Sequence, residues 1–145
     1  MERIVILGCA GTGKTTLARR MSERTGAPVI CLDEIRKQEP DAPEFRALIL
    51  QAHAGDRWIS DGNFALATFD IRLPRATLVI WLERARLVCA WRAIARVFKP
   101  SEPHRMRGLP EVLRFIWKFD KVNRPRIEAL RETHGPHVPV QHILN

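Results

Sequence analysis

The most constraining feature of this 145-residue chain is a glycine-rich loop between a strand pattern and a helix pattern. The loop covers residues 8–15, reads G-x-x-x-x-G-K-T, and directly follows the apolar run at residues 4–7. Glycines let such a loop turn its backbone N–H groups inward around a phosphate chain. The N-terminus of the next helix adds free N–H groups and partial positive charge. We therefore predict that this segment, called the phosphate loop below, binds a nucleoside triphosphate.

Single residues of the phosphate loop have distinct predicted roles. The ammonium group of Lys14 should reach the β- and γ-phosphates, and the hydroxyl of Thr15 should ligate magnesium. An ordinary glycine-rich turn would leave this lysine and threonine unexplained. The residues assigned to ATP are Gly8, Gly11, Thr12, Gly13, Lys14, Thr15 and Thr16.

Composition limits the class of protein. A chain of 145 residues with 46% hydrophobic and 28% charged residues indicates one soluble domain over residues 1–145. The longest apolar run, near residues 77–82, is strand-sized, so we expect no membrane association. A strand begins at residue 3, so we expect no targeting peptide. Three scattered cysteines fit small buried side chains in the reduced cytoplasm.

Basic side chains are concentrated in the second half of the chain. Residues 1–82 carry 11 basic and 10 acidic side chains, whereas residues 83–132 carry 13 basic and 6 acidic ones. Most of the excess is arginine, which makes bidentate contacts with phosphate. Three interpretations stay open: an arginine-lined cleft for a polyphosphate, a surface for nucleic acid, and a solvated face.

Strand and helix patterns alternate along the chain, which predicts an α/β fold with a parallel sheet and helices on both faces. Five strands are predicted, at residues 3–7, 29–32, 58–60, 77–82 and 138–144. Residues 70–72 are predicted to lie in a loop, and Pro125 should kink or divide the helix at residues 111–131. Core and helix packing is predicted for six aromatic residues: Trp81, Trp91, Phe98, Phe115, Trp117 and Phe119.

Two aspartates follow predicted strands, and ligands of parallel sheets bind beyond the carboxyl ends of strands. Asp61 ends a short strand, where we favour a magnesium ligand over a turn residue before Gly62. Asp33 ends the second strand. For Asp33, capping of the next helix and a functional role as magnesium contact or general base stay equally open.

Arginines supply the remaining candidates. Phosphoryl transfer needs positive charge near the moving γ-phosphate. Arg92 and Arg96 lie four residues apart, on one face of a predicted helix. Arg36 and Arg72 are, with Asp33, our candidates for binding an acceptor.

These motifs together resemble the adenylate-kinase-like group of P-loop proteins. The likeness is carried by the phosphate loop, by residues 61–64 (Asp-Gly-Asn-Phe), by residues 70–73 (Asp-Ile-Arg-Leu) and by residues 124–126 (Arg-Pro-Arg). Within that group, the Asp-Gly-Asn and Asp-Ile-Arg pair is most similar to that of the small DNA topology modulation (FlaR-like) proteins.

The resemblance implies a P-loop NTPase fold, nucleoside-monophosphate-kinase-like, with a short lid at about residues 99–109. It implies ATP and Mg²⁺ as cofactors, with Asp61 matching the aspartate of the adenylate kinase Asp-Gly-Phe-Pro-Arg motif. Arg92 and Arg96 would match arginines before the lid, and Arg126 one after it. The Pro-Arg that helps to hold AMP is missing after Gly62, which leaves the acceptor open.

We therefore predict a cytoplasmic, magnesium-dependent kinase that transfers the γ-phosphoryl group of ATP to a small acceptor. Two alternatives stay open: a nucleotide-dependent regulatory protein linked to DNA topology, and a kinase for a non-nucleotide acceptor such as a small hydroxy acid. Arginines that converge on the phosphate loop would favour the kinase, and arginines spread over an outer face would favour DNA. Nucleic acid is not the favoured partner, and the oligomeric state is left open.

Overall fold

A computed structural model describes residues 2–38, 42–62, 66–98 and 108–145. Its strands are β1 (Glu2–Gly8), β2 (Val29–Cys31), β3 (Arg57–Asp61), β4 (Leu78–Glu83) and β5 (Val140–Leu144). All neighbouring strands pair in parallel, in the order β2-β3-β1-β4-β5. The order reverses beside β1, because β2 and β3 lie on one side of β1 and β4 and β5 lie on the other.

Helices cover both faces of this sheet. They are α1 (Lys14–Thr25), α2 (Leu32–Gln38), α3 (Ala42–Ala52), α4 (Phe69–Arg72), α5 (Arg86–Val97), α6 (Leu109–Lys118) and α7 (Arg124–His134). Ala18 of α1 packs in the core of one face, while the core of the other face includes Ile49 of α3, Ile116 of α6 and Ile127 of α7. The predicted α/β fold with five parallel strands is confirmed.

The bounds of α1 match the prediction from the glycines on either side of it. Gly13 precedes the helix, and Gly26 follows it with φ of 71°. The backbone N–H of Gly26 donates to the carbonyl of Ser22 at 2.8 Å. A left-handed residue at this position ends a helix by satisfying a free carbonyl, and glycine adopts that conformation at little cost.

Residues 70–72 form part of α4, so the predicted loop is wrong. Phe69 and Arg72 lie three residues apart, and a helical turn therefore places both on one face. Both side chains are completely buried, with the Arg72 guanidinium 4.8 Å from the centre of the Phe69 ring. Asp70 points outward and pairs with Arg46 at 2.7 Å. Burial of one face thus outweighs the polar character of this short segment.

Pro125 divides the last predicted helix, as expected. A π-helical turn at Phe119–Asn123 joins α6 to α7, and Pro125 lies in the first turn of α7. Proline has no N–H to donate to a carbonyl one turn earlier, so it is best tolerated at the start of a helix. Phe119 and Ile127 on either side of this junction are both buried in the core.

The prediction that the aromatic residues pack in the core is wrong for three of the six. Trp81 and Phe119 are buried, and Phe115 packs against the core. By contrast, the exposed fractions of Trp91, Phe98 and Trp117 are 70%, 80% and 62%. Helical spacing does not reveal which side of a helix faces the sheet. In the described part of the chain, no helix is both long and apolar enough to span a bilayer.

A buried polar chain connects the end of α3 to β3. The Nδ1 atom of His53 lies 2.7 Å from the carbonyl oxygen of Ile49, and its Nε2 atom lies 3.0 Å from the Ser60 hydroxyl. Because a carbonyl oxygen can only accept, Nδ1 carries the proton and Nε2 accepts from Ser60. Burial lowers the pKa of His53 to about 4, and the bond to Ile49 only partly opposes this effect.

We expect His53 to make the free energy of unfolding fall as the pH drops from about 6.5 to about 4. In this range the unfolded chain binds a proton on His53 and the folded chain does not, so acid favours the unfolded state. The full effect is about 3 kcal/mol. Urea unfolding across this range should show a shallower pH dependence in His53→Gln than in the wild type. His137→Gln, at an exposed position, is the matched control, and identical slopes for the wild type and His53→Gln would contradict this expectation.

Candidate phosphate-binding site

The sheet brings the phosphate loop and both predicted aspartates to one edge. Asp61, the last residue of β3, lies opposite Ile6 of β1 and Cys31 of β2. The phosphate loop leaves the same end of β1, and Asp33 follows the same end of β2. This edge lies beside the point where the strand order reverses, which is the usual ligand position in sheets of this type.

The glycines of the phosphate loop adopt backbone conformations that other residues avoid. Gly8, Gly11 and Gly13 have φ values of 142°, 83° and 101°. A Cβ atom on Gly11 would lie 2.7 Å from the carbonyl oxygen of Cys89 in α5. Two separate constraints therefore require glycine at position 11: the positive φ and the close approach of α5.

The ammonium group of Lys14 is held against the loop's own backbone. Its Nζ atom donates to the carbonyl oxygens of Gly8 at 2.8 Å and Cys9 at 2.7 Å. Burial lowers the pKa of Lys14, while the nearby carboxylate of Asp61 raises it. The hydroxyl of the buried Thr12 also donates to the Cys9 carbonyl, at 2.8 Å, and this bond within the phosphate loop stabilises its conformation.

Thr15 and Asp61 form the closest side-chain contact of the site. The Thr15 hydroxyl donates to Oδ2 of Asp61 at 2.6 Å, and only 4% of Asp61 is exposed. Burial raises the pKa of Asp61, and the bond from Thr15 and the charge of Lys14 lower it. The contact joins two residues that lie 46 positions apart in the sequence.

This pair of oxygen atoms fits a magnesium ion. Mg²⁺ prefers oxygen ligands and takes few from the protein, because phosphate oxygens and water complete its shell. Thr15 and Asp61 would supply those protein ligands beside the loop that holds the phosphates. Among the residues that the structure describes, no cluster of three or more His, Cys, Asp or Glu offers an all-protein metal site.

Two adjoining cavities open at this edge. The loop cavity, of about 130 Å³, is lined by Ala10, Gly11, Gly13, Lys14, Thr15, Asp33, Asp61, Gly62, Arg96 and Phe115. The side cavity, of about 410 Å³, is lined by Ala10, Gly11, Asp33, Ala93, Arg96, Val97, Gly108, Leu109 and Val112. Asp33 and Arg96 border both cavities, so their side chains stand where the two spaces meet.

Several predicted site residues converge here. Arg96 lines the loop cavity, and Nη2 of Arg92 would lie 3.8 Å from a Cβ atom on Gly13. Thr16 lies exposed in the first turn of α1. Asp33 lines both cavities from within α2, which already begins at Leu32. Capping of a helix that begins after Asp33 is therefore not its role.

Other predicted residues are not brought to the cavities. Arg72 is completely buried and bonds to the protein itself, so we do not retain it as a direct contact to an acceptor. Arg126 lies exposed on α7 and lines neither cavity. The side chain of Arg36, residues 63–65 and most of the predicted lid, at 99–107, lie outside the described residues.

Asn145, near the phosphate loop, was missed by sequence reasoning, and Arg124 was predicted only as part of the Arg-Pro-Arg segment. The side-chain amide of Asn145 donates to the carbonyl of Thr12 at 3.3 Å. Arg124, rather than Arg126, turns toward the sheet, where it pairs with Glu83 of β4 at 2.9 Å, and it also pairs with Glu128 of its own helix at 3.0 Å. No local pattern singles out Asn145, because its partner lies 133 positions away.

Two of the cysteines meet behind the phosphate loop. Cys9 and Cys89 are both buried, and their thiol groups interact with each other. This interaction lowers the pKa of Cys89 to about 7 and raises the pKa of Cys9. Together with the contact between Gly11 and Cys89, it fastens the loop to α5.

Solved structures of kinases share this architecture. A gluconokinase from Sinorhizobium meliloti is 21% identical with a TM-score of 0.55, over 99% of this chain and 82% of that one. A shikimate kinase from Bacteroides thetaiotaomicron is 22% identical with a TM-score of 0.54, over 97% and 85%. A deoxyadenosine kinase from M. mycoides, with dCMP and dCDP bound, is 14% identical with a TM-score of 0.51, over 99% and 90%. The fold is that of the P-loop kinases.

At these identities the likeness concerns the fold alone. The sequence profile of the isopentenyl transferase family matches residues 1–39, which run from β1 through the P-loop to α2 and make up well under half of the chain. No curated protein sequence gives a significant match. The expected P-loop fold is thus confirmed, and membership of the narrower DNA topology modulation family stays a prediction.

Replacement of Gly11 by alanine should damage both folding and nucleotide binding. The new Cβ would clash with Cys89 and impose a left-handed conformation on alanine, which we expect to cost at least about 2 kcal/mol. Urea unfolding and ATP titration measure the two effects. Gly55→Ala, where a Cβ atom meets nothing within 4 Å, is the matched control and should be tolerated. If Gly11→Ala were as stable as Gly55→Ala, the expected clash with Cys89 would be refuted.

Proposed function

We propose that this protein is an ATP- and magnesium-dependent phosphotransferase that acts on a small acceptor. The observation that carries the proposal is the 2.6 Å contact between Thr15 and Asp61, beside Lys14 in the loop cavity. A glycine loop alone would support phosphate binding. A buried carboxylate paired with the hydroxyl of the phosphate loop adds a magnesium position, and Arg96 adds a cation to the lining of the same cavity.

The roles of the chain's own residues follow from their positions. Backbone N–H groups of the loop and of the first turn of α1 surround the phosphates. Lys14 exchanges its bonds to the Gly8 and Cys9 carbonyls for bonds to phosphate oxygens. Arg92 and Arg96 approach from α5 and offset the negative charge that develops during transfer. Thr15 and Asp61 would hold Mg²⁺, which would neutralise part of the charge of the phosphates.

The side cavity is the proposed acceptor site. Its lining is mostly apolar, through Ala93, Val97, Leu109 and Val112, and its polar groups are at the end that meets the loop cavity. A site of this kind suits a nucleoside-sized molecule with one hydroxyl turned toward the phosphates. Asp33 stands at that end and would accept the hydroxyl proton as the phosphoryl group arrives.

The positions of the arginines support phosphoryl transfer over a role in binding DNA. Arg92 and Arg96 turn toward the phosphate loop. Two other arginines are paired with carboxylates: Arg86 lies 2.9 Å from Asp120, and Arg124 lies 2.9 Å from Glu83. Paired arginines contribute less to a basic surface than the sequence count of residues 83–132 indicates. These positions therefore support a small-molecule kinase rather than a DNA-linked function.

Lys14→Ala should abolish detectable binding of Mg-ATP, since the variant loses the cation closest to the β- and γ-phosphates. Isothermal titration with Mg-ATP measures this effect. Arg20→Ala, which removes an exposed cation from the same helix, is the control and should bind as the wild type does. Normal ATP affinity in Lys14→Ala would refute the proposed function.

Asp33→Asn should lower turnover by about 10²-fold or more while ATP affinity stays near that of the wild type. The acceptor is first identified by ADP release from Mg-ATP with a panel of nucleosides, nucleoside monophosphates and small hydroxy acids. Glu34→Gln, which neutralises the adjacent exposed carboxylate, is the control. Equal turnover in Asp33→Asn and the wild type would remove Asp33 as the base.

A further inference from the structure

Arg72, the buried arginine of the Asp-Ile-Arg motif, lines neither the loop cavity nor the side cavity. Arg72 is completely buried, although a guanidinium is costly to remove from water. Burial lowers its pKa to about 9, and the charge of Asp61 partly opposes this shift, so the group remains charged at neutral pH. Buried ion pairs can often be replaced as a whole by well-packed apolar residues without loss of stability, so a buried charge here calls for another explanation.

Arg72 bonds to both neighbours of the magnesium ligand. Its Nη1 atom donates to the Ser60 hydroxyl and to the carbonyl oxygen of Gly62, each at 3.2 Å. Ser60 and Gly62 are the residues immediately before and after Asp61. A single nitrogen therefore bonds to the side chain of the residue before Asp61 and to the backbone of the residue after it.

Donor and acceptor chemistry sets the direction of the hydrogen bonds that run from Arg72 through Ser60 and His53 to Ile49. The Ser60 oxygen accepts from Arg72, so its own proton is free to go to Nε2 of His53, at 3.0 Å. His53 then donates from Nδ1 to the carbonyl of Ile49. A donor-only guanidinium at one end and an acceptor-only carbonyl at the other allow one arrangement of protons. Buried hydrogen bonds of this kind hold the groups that they join in fixed positions.

The turn that Arg72 holds is itself a constrained one. Gly62 has φ of 141°, and a Cβ atom there would lie 3.0 Å from Cβ of Leu32 at the start of α2. Without Arg72, the Gly62 carbonyl would lose this charged donor and could rotate. Rotation at Gly62 would move the end of β3, and with it the contact of Asp61 with Thr15.

We infer that Arg72 is a positioning residue, which acts through Ser60 and Gly62 to hold the Asp61 carboxylate where it can share a magnesium ion with Thr15. The inference rests on the proposed function. Arg72 lies 11 residues after Asp61 in the sequence and is buried in the interior. The outer-shell groups of metal sites commonly act in this way, by fixing the orientation of a ligand that they do not replace.

The test compares the magnesium dependence of ATP binding in Arg72→Lys and Ser60→Ala with that of the wild type. Arg72→Lys keeps the charge but loses the planar donor group, and Ser60→Ala removes the link to His53. We expect the Mg²⁺ concentration for half-maximal enhancement of ATP affinity to rise at least about tenfold. ATP affinity in the presence of EDTA should stay unchanged, since the P-loop is intact. If Arg72 and Ser60 contributed only to stability, the substitutions would lower ATP affinity both with Mg²⁺ and with EDTA, or in neither condition.

Arg75→Lys is the matched control, because Arg75 lies in the turn just after α4 and donates to the carbonyl of Ala54 at 2.8 Å, away from Asp61. Asp61→Asn provides the second comparison. Adding Arg72→Lys to Asp61→Asn should cause no further loss of magnesium dependence if both act through one ligand. If Arg72→Lys does not fold, Ser60→Ala decides the question, since it removes a single oxygen atom.

The failure of this inference and of the proposed function can be told apart. A wild-type protein that does not bind Mg-ATP would overturn the proposed function and this inference with it. A wild-type protein that binds Mg-ATP, with Ser60→Ala and Arg72→Lys indistinguishable from Arg75→Lys, would overturn the inference alone. A tenfold shift that also appears in Arg75→Lys would overturn it as well, because the effect would then not depend on the contacts to Ser60 and Gly62.

Discussion

The site depends on the parallel pairing of β1 with β3. That pairing puts Asp61 opposite Ile6, two residues before the start of the P-loop, and so allows the Thr15 hydroxyl to reach Asp61 at 2.6 Å. Parallel strands must share their carboxyl ends at one sheet edge, which makes the contact a consequence of topology. The cavities, the position of Asp33 and the approach of α5 are all arranged around this edge.

Charges at this edge are removed from water and compensate one another. Lys14 and Asp61 are each disfavoured in charged form by burial and favoured by the other's charge. Arg72 lies behind them and is also stabilised by Asp61. Buried groups of this kind keep fixed positions because every alternative position leaves a charge without a partner. A phosphate-binding site gains from this rigidity, since its dipoles and charges do not have to reorganise when the ligand arrives.

Much of the fold follows from local patterns. The bounds of α1 follow from Gly13 and Gly26, the buried strands follow from apolar runs, and Pro125 divides a helix because it lacks an N–H. The exposed Trp91 and Trp117 could not be told from core residues, because periodicity gives the faces of a helix but not the one that meets the sheet. The prediction of a loop at Asp-Ile-Arg was wrong for a related reason, because nothing local indicates that an arginine will be buried on one face of a helix.

The sequence by itself determined the P-loop, its lysine and threonine, and the α/β fold, because these depend on short-range spacing and on residues whose backbone freedom is unusual. Tertiary structure alone decided which of the many charged residues lie at the cavities. Arg96 lines the loop cavity, Arg126 does not, and Arg72 is buried and bonds to the carbonyl of Gly62, next to Asp61. These outcomes depend on how α4, α5 and α7 pack on the sheet. Packing is set by contacts between residues far apart in the chain, which no local pattern contains.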